Sequence, residues 1–556
     1  MSRPYRLLSE GMPPPRSSGS ASFAADPRKA RQWVAALPRA NALATQQSLG
    51  QALDSLGSQK LDGATRLGVL EELRPALGES IAMLKSEYSA SPLPLDAARA
   101  NAAFQVESFH IMLAQAYRKA AVEICAPEGN IPMLRGGTVA LALARSAWHF
   151  SQALAVAWRL YRAPADGVWQ GLHRVHRFAA EQKLDTRQVA DPLAGASSEL
   201  RVTYLRALLM AVTHPLAFSQ GEQDLLWQVT AELASRTSLV RMEPDGSAPP
   251  VPEDADKGPG SATLDEQATR WLDISAFVAE VDAAISRQKD GFSSLMPARG
   301  TGVRVSVDML LRLKRAFGLA AARAHSRLPG GHVLRTVFGL SSLHFYLAGQ
   351  RDFDAFLKQA TQRVSHPVRA EWAHTNTDAS RVPIHEGRVL DQSLGGYRMA
   401  WAQANQIRAR VGELVGLTLA DGDELRPDWM LGVVRWLRYE DDGGLSAGVE
   451  LVARRTGAIG LRVHGKDGFA REPVRAVEME SLTDEGEIHF LAPNSMDTGA
   501  ARIEVVRDVA ERGLVDAPQV EEILAGINLL VNAGDYALLR PLRSDQAAPQ
   551  PEQATT

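Results

Sequence analysis

At 556 residues the chain is too long for one compact core, and about three or four domains are expected. Apolar residues make up 45% and charged residues 22%, the balance of an ordinary globular protein, and 61 basic against 64 acidic side chains leave a net charge of −3. That near-neutrality gives no global pull towards nucleic acid or an anionic membrane, so an anion site has to be local.

The first residues, Met1 to Leu8, run into a Pro/Ser/Gly stretch around Pro13, Pro14 and Pro15, with no apolar core of signal-peptide length. Residues 1–27 therefore read as a disordered lead with nothing to bury. No window approaches the roughly 18 uncharged apolar residues of a membrane span, so a cytoplasmic protein is expected. Cys125 is a lone cysteine in an Ala-Val-Glu-Ile-Cys run, which excludes an internal disulfide and a cysteine-held zinc. It reads as a small buried residue.

From Pro27 to about Arg236 the pattern is helical. Trp33, Val34 and Leu37, then Leu70, Leu73 and Leu77, recur at three- and four-residue spacing and share a helix face. Ala140 to Tyr161 carries Leu141, Leu143, Trp148, Leu154, Trp158 and Tyr161 on an alanine-rich background, suited to close helix approach. Asp166 to Ala180 forms its partner helix through Trp169, Leu172 and Val175, and paired helices of this kind predict a bundle or a repeat-like array. The tryptophans are expected to be packing residues. His173 and His176 share one face of that partner helix without a third ligand at metal spacing, so they are expected to be surface histidines. Glu243 to Glu266, with Pro249, Pro250, Pro252 and Pro259 among acidic residues, predicts a solvated loop inside a helical domain spanning 28–290. Helix is expected to resume over Trp271 to Gln288.

Residues 291–360 look mixed: a helix over Val307 to Leu319, a strand near His332 to Phe338 and a helix near Ser341 to Leu347. After Thr361 short, β-branched, Gly-bounded runs take over, including Gly432 to Leu437 and Gly448 to Val452. Further strands are expected at 487–491, 501–506 and 535–539, with an amphipathic segment over Val520 to Leu530. Residues 456–543 thus read as a second small β-rich unit or an extension of the strands before it, and 544–556 as a disordered Pro/Gln/Ala tail.

The most informative stretch is Gly387 to Tyr397. It holds Asp391, Ser393 and Gly396 in an Asp-x-Ser-x-x-Gly pattern that leaves a strand and turns. A Gly-Gly turn lets backbone approach a ligand closely. Asp391 can accept hydrogen bonds from a purine N–H edge, and Ser393 can donate to a phosphate. Downstream come Val433-Val434-Arg435-Trp436, the turn Asp441 to Gly444, and Gly448-Val449-Glu450-Leu451. This order of elements resembles the PilZ domain, over residues 361–455. The resemblance implies a small antiparallel β-barrel and cyclic di-GMP as ligand, contacted by Asp391, Ser393 and Gly396. The family also carries an Arg-x-x-x-Arg motif before the Asp, whose guanidinium groups hold the phosphates and stack on guanine. At the expected distance this chain has Arg363 and Arg369, separated by five residues instead of three. They are the candidates, with Arg381 and Arg388 next. Arg363, Arg369, Arg381, Arg388, Arg398, Arg408 and Arg410 stand against Glu371, Asp378, Glu386 and Asp391 over 361–412, a positive bias that suits a dianion.

The fold class expected is therefore α+β multidomain: a large all-α N-terminal region, a PilZ-like antiparallel β-barrel and a further β-rich segment. No catalytic constellation or metal site stands out, and no cofactor is expected beyond the nucleotide ligand. The resemblance implies a receptor that is not an enzyme. It would couple nucleotide binding to a protein partner of the helical region and act on motility, adhesion or biofilm. A PilZ scaffold that has lost nucleotide binding is the alternative that the arginine spacing keeps open. A nucleic-acid binder using the Arg-rich segment with Trp372, Tyr397 and Trp401 ranks last, given the near-neutral charge.

Overall fold

The computed structural model describes residues 2–12, 25–191, 196–241, 248–260, 270–289, 291–296, 302–317, 327–361, 382–421, 424–425, 428–464, 469–482, 486–496, 502–507, 521–533 and 535–542. The helices in chain order are α1 (Arg3–Ser9), α2 (Pro27–Ala35), α3 (Ala42–Ser58), α4 (Gly63–Tyr88), α5 (Ala97–Cys125), α6 (Gly136–Arg159), α7 (Val168–Glu181), α8 (Leu200–Val212), α9 (Gln220–Leu233), α10 (Ser275–Ser286), α11 (Val307–Phe317), α12 (Leu340–Leu347) and α13 (Phe353–Thr361). Short polar side chains start many of them: Asp26, Asn41, Asp62 and Asp96 each accept from a first-turn N–H, and Ser219 and Glu222 form a reciprocal capping box.

The alanine-rich background of α5 and α6 lets these helices approach one another and α4. Ala114, Ala120, Ala121, Ala142, Ala147 and Ala157 are buried between them. Cys125 is buried and free, and burial pushes its thiol up to about 11, so it stays protonated. Deep in the bundle, Arg74 donates to both carboxylate oxygens of Asp191 at 2.8 and 2.7 Å, and Arg145 lies 3.2 Å from the same carboxylate. Among the described residues no helix is long and apolar enough to cross a membrane.

Four expectations for this half are corrected. The lead is not wholly unstructured: Ser2 caps α1, and Tyr5 and Leu8, three residues apart, are buried against α5 and α7. Residues 248–260 are a packed element instead of a solvated loop. Val251 is fully buried, and Asp256 accepts from the Gly167 and Gln170 N–H groups that open α7. His173 and His176 are buried under that element. His173 bonds the Tyr204 hydroxyl at 2.7 Å and the Lys257 carbonyl at 2.9 Å, while His176 stacks on Tyr204 with centroids 3.9 Å apart. Among the described residues no cluster could hold a metal ion. Trp271, expected on a helix, lies on strand Arg270–Asp273, which pairs with Ser238–Val240 and Pro250–Val251; α10 follows only after Asp273.

Among the described residues the C-terminal half has twelve strands of four residues or more: β1 (Val333–Phe338), β2 (His385–Ser393), β3 (Gly396–Trp401), β4 (Leu414–Asp421), β5 (Met430–Tyr439), β6 (Leu445–His464), β7 (Val474–Ser481), β8 (Ile488–Ala492), β9 (Arg502–Arg507), β10 (Glu521–Leu524), β11 (Gly526–Asn532) and β12 (Ala537–Leu542). The first six close an antiparallel barrel in the order β3-β2-β1-β4-β5-β6, with β6 returning to β3. Closure leaves no open edge. Leu334, Val389, Met399, Trp401, Val434 and Val449 fill the interior. The barrel takes β1 from the segment read as a connector, ahead of residue 361, because α12 and α13 intervene between β1 and β2.

β6 is 20 residues long and serves two sheets. Its first half seals the barrel. Past a register shift at Ala453/Thr456 its second half pairs with β7 and β9, and β8, β12 and β11 extend the sheet. Ile459, Leu461, Phe490, Ile503 and Leu539 form a separate core there. Of the segment expected to be one amphipathic element, the described residues from Glu521 on lie in strands β10 and β11, joined at Ala525.

The helical half meets the barrel at Tyr161. Its carbonyl accepts from the Tyr439 N–H at 2.8 Å, its hydroxyl donates to the Phe218 carbonyl at 2.8 Å, and its ring packs with Leu93 and Leu216 against the barrel core. A cavity of about 830 Å³ lies beside this junction, lined by Tyr161, Glu222, Arg312, Arg410, Arg435 and Tyr536 among others.

Candidate functional site

The Asp-x-Ser-x-x-Gly stretch lies where β2 turns into β3. Ser393 and Gly396 are directly paired across the hairpin, with Leu394 and Gly395 at its tip. A bulge between Val389 and Asp391 shifts the register just before the Asp. Gly396 is required twice over. Its φ is +150°, and a Cβ there would sit 2.0 Å from the Val449 carbonyl oxygen of β6. The strand seam that closes the barrel therefore runs directly under the turn.

Asp391 is partly buried. One carboxylate oxygen accepts from an Arg327 Nη at 2.6 Å, and the other lies 3.9 Å from an Arg398 Nη. Arg327 is held there by backbone: Leu328–Pro329 form a two-residue strand paired with Gln392 and Asp391, and the Gly330 N–H donates to the Leu390 carbonyl at 3.0 Å. Arg435 and Glu450 form an ion pair on the neighbouring strands β5 and β6. The Trp436 indole lies over Gly448, where a Cβ would be 2.0 Å from the indole nitrogen. These residues line a cavity of about 260 Å³ with Ser393 and Tyr397 on its wall. It presents guanidinium donors, a carboxylate acceptor, a hydroxyl, an aromatic face and exposed backbone at a Gly-Gly turn, a set suited to a nucleotide's phosphate and base edge.

Two family models match the chain. Residues 28–245 match the model described as "Cyclic-di-GMP receptor FimW, N-terminal domain". Residues 254–379 and 368–457 match "Cyclic-di-GMP receptor FimW, middle PilZ domain". The middle of the chain, residues 254–457, carries a PilZ domain. A relative, the cyclic-di-GMP receptor FimW of Pseudomonas aeruginosa, is 24% identical over 525 residues, covering 85% of each chain. No solved structure matches.

Of the PilZ-site residues expected from sequence, the structure brings Asp391, Ser393 and Gly396 together on one cavity wall. Arg388 is exposed, pairs through its backbone with Ala400 and Val333, and is not among the cavity-lining residues. Arg363, Arg369 and Arg381 lie outside the described residues. Sequence reading missed Arg327, the guanidinium that reaches Asp391. The signal was present, since Arg323-Ala-His-Ser-Arg327 has three residues between its arginines. It lies 64 residues ahead of Asp391, not twenty-odd, because β1, α12 and α13 intervene in the chain. Arg435, Trp436 and Glu450 were noted only as strand residues; their place on the cavity follows from β5–β6 pairing.

Proposed function

We propose that the chain is a cyclic di-GMP receptor, with Asp391, Ser393 and Gly396 on the guanine side and Arg327, with Arg323 four residues upstream, as the phosphate clamp. The observation that carries this is the Arg327–Asp391 ion pair at 2.6 Å above the Gly395-Gly396 turn. Without ligand, Asp391 occupies the Arg327 guanidinium. A phosphodiester would take over that guanidinium through charge-assisted hydrogen bonds and free the Asp391 carboxylate to accept from a purine N–H edge. Tyr397 and Trp436 supply apolar faces for the base. The relative FimW is named as a cyclic-di-GMP receptor, which supports the ligand class.

The reading extends to output. Arg435 lines both the nucleotide cavity and the larger cavity beside the Tyr161 junction. Engaging Arg435 or Glu450 on one side would alter contacts on the other, which biases how barrel and helical half meet. A protein partner on the helical half, and effects on motility, adhesion or biofilm, complete a receptor role in which no catalysis is invoked. Isothermal titration of the full chain with cyclic di-GMP tests the core claim. Saturable micromolar or tighter binding, lost in an Asp391→Ala/Ser393→Ala double variant, is expected. Absence of heat and of any thermal shift at high nucleotide concentration would leave the scaffold without nucleotide binding as the better account.

A further inference from the structure

A third cavity, of about 350 Å³, lies within the helical half between α4, α5, α6, α8 and α9. Its volume is within the range of small-molecule sites. The sequence keeps it open with small residues: Gly78 and Ala82 on α4 and Ala155 on α6 stand where larger apolar side chains would fill the space. Pro75, three residues before Gly78 on α4, has no N–H for the Glu71 carbonyl.

The walls are aromatic and held in place. Trp148 lies under the Arg74 guanidinium at 5.3 Å, and Arg74 is itself fixed by Asp191. Trp227 lies under Arg206 at 4.0 Å, and Arg206 donates to the Trp227 carbonyl at 2.6 Å. Rings so anchored make a preformed slot for a flat ligand.

The polar end of the slot is a buried histidine pair. His110 and His149 meet Nδ1 to Nδ1 at 3.0 Å, so one ring donates and the other accepts. Their outer nitrogens must then present one N–H and one lone pair. His149 is 2% exposed, and its Nε2 has no hydrogen-bond partner. Such an orphan is costly in a native core and is relieved by a polar group entering the cavity. At the rim, Arg159 is paired with Asp224, as Arg74 is with Asp191, whereas Lys85 makes no ion pair among the described residues. One uncompensated cation, flat aromatic walls and a hydrogen-bonding imidazole edge define a complementary guest.

We propose that this cavity binds a small planar aromatic acid, its ring in the tryptophan slot, its polar edge at His110/His149 and its carboxylate towards Lys85. The site is separate from the nucleotide cavity, so its test stands apart from that of the receptor reading. The full chain is titrated with indole-3-acetate and with neutral indole by calorimetry and ligand-observed saturation-transfer NMR. Saturable binding of both is expected, the acid tighter. Lys85→Gln should weaken the acid about three- to fivefold and leave indole unchanged. Ala155→Trp should abolish both, with the milder Ala82→Leu as a second filling variant should the first lose its helical circular dichroism. No saturable binding at millimolar probe, binding that survives the filling variant that folds, or equal affinity for acid and neutral indole would each overturn the proposal.

Discussion

Replacing Arg327 by Ala separates what this side chain does for binding from what it does for stability. The Arg327 side chain is 45% exposed and that of Asp391 is 23% exposed, so their ion pair is screened by solvent and contributes about 0–1 kcal/mol to folding. A guanidinium–phosphate contact is charge-assisted on both sides and contributes about 1.5–3 kcal/mol to binding. Loss of the arginine should therefore weaken cyclic di-GMP roughly 10- to 150-fold, while the unfolding free energy moves by no more than about 1 kcal/mol. Titration calorimetry reads the first quantity and urea unfolding of the same preparations the second. Arg363→Ala and Arg369→Ala serve as parallel controls, since the sequence pointed to those positions first. Wild-type affinity in Arg327→Ala, with the loss appearing in Arg363→Ala or Arg369→Ala, would refute the assignment of the clamp to Arg327. An equal loss of stability and affinity would mean that Arg327 acts by holding the β2–β3 turn.

Gly396→Ala should destabilise the barrel by about 1–3 kcal/mol and abolish nucleotide binding, because φ is +150° and the new Cβ would meet the Val449 carbonyl at 2.0 Å; near-ultraviolet circular dichroism and calorimetry check both effects. Asp191→Ala takes the carboxylate from the buried Arg74, while Arg145 keeps Glu71, and should cost about 3–5 kcal/mol in urea unfolding of the helical half. Burial, with Lys85 and Arg74 nearby, lowers His110 to about 3, and burial chiefly holds His149 well below the ordinary imidazole range. The unfolded chain takes up these protons near pH 6.5 while the folded chain resists, so stability present above pH 6.5 should fall as the pH drops below it. The slope should be about 1.4 kcal/mol per pH unit for each imidazole. Comparing unfolding at pH 7.5 and 5.5 in wild type and in His110→Phe/His149→Phe tests this, and an unchanged pH slope in the double variant would contradict it.

Much of the architecture was legible from local pattern. Spacing located α6, α7 and α11 to within a few residues, because an amphipathic helix writes its period of 3.6 directly into the chain. The hexapeptide at Asp391 was legible because hairpin turns need particular residues at fixed offsets. Burial of polar residues was less legible. His173 and His176 looked like surface residues until residues 248–260, some 80 positions later, folded over them and supplied Lys257 as a partner. Proline-rich, acidic composition hid that segment's packing, since Asp256 accepts from the N–H groups that open α7.

The sequence by itself determined the division into helical and β-rich halves, the turn that opens the site, and the residue types needed there. Those are local properties: periodicity, propensity and the conformational demands of glycine, each set within a few residues. Only the tertiary structure decided which arginine meets Asp391. The pairing of Leu328–Pro329 with β2 joins positions 64 residues apart, across two helices inserted between neighbouring strands. Sequence distance carries no information about such a contact, because strand pairing is set by hydrogen-bond register and barrel closure, which are long-range and cooperative. The same closure put Arg435, Trp436 and Glu450 on the cavity wall and left Arg388, on a strand of the same barrel, off it.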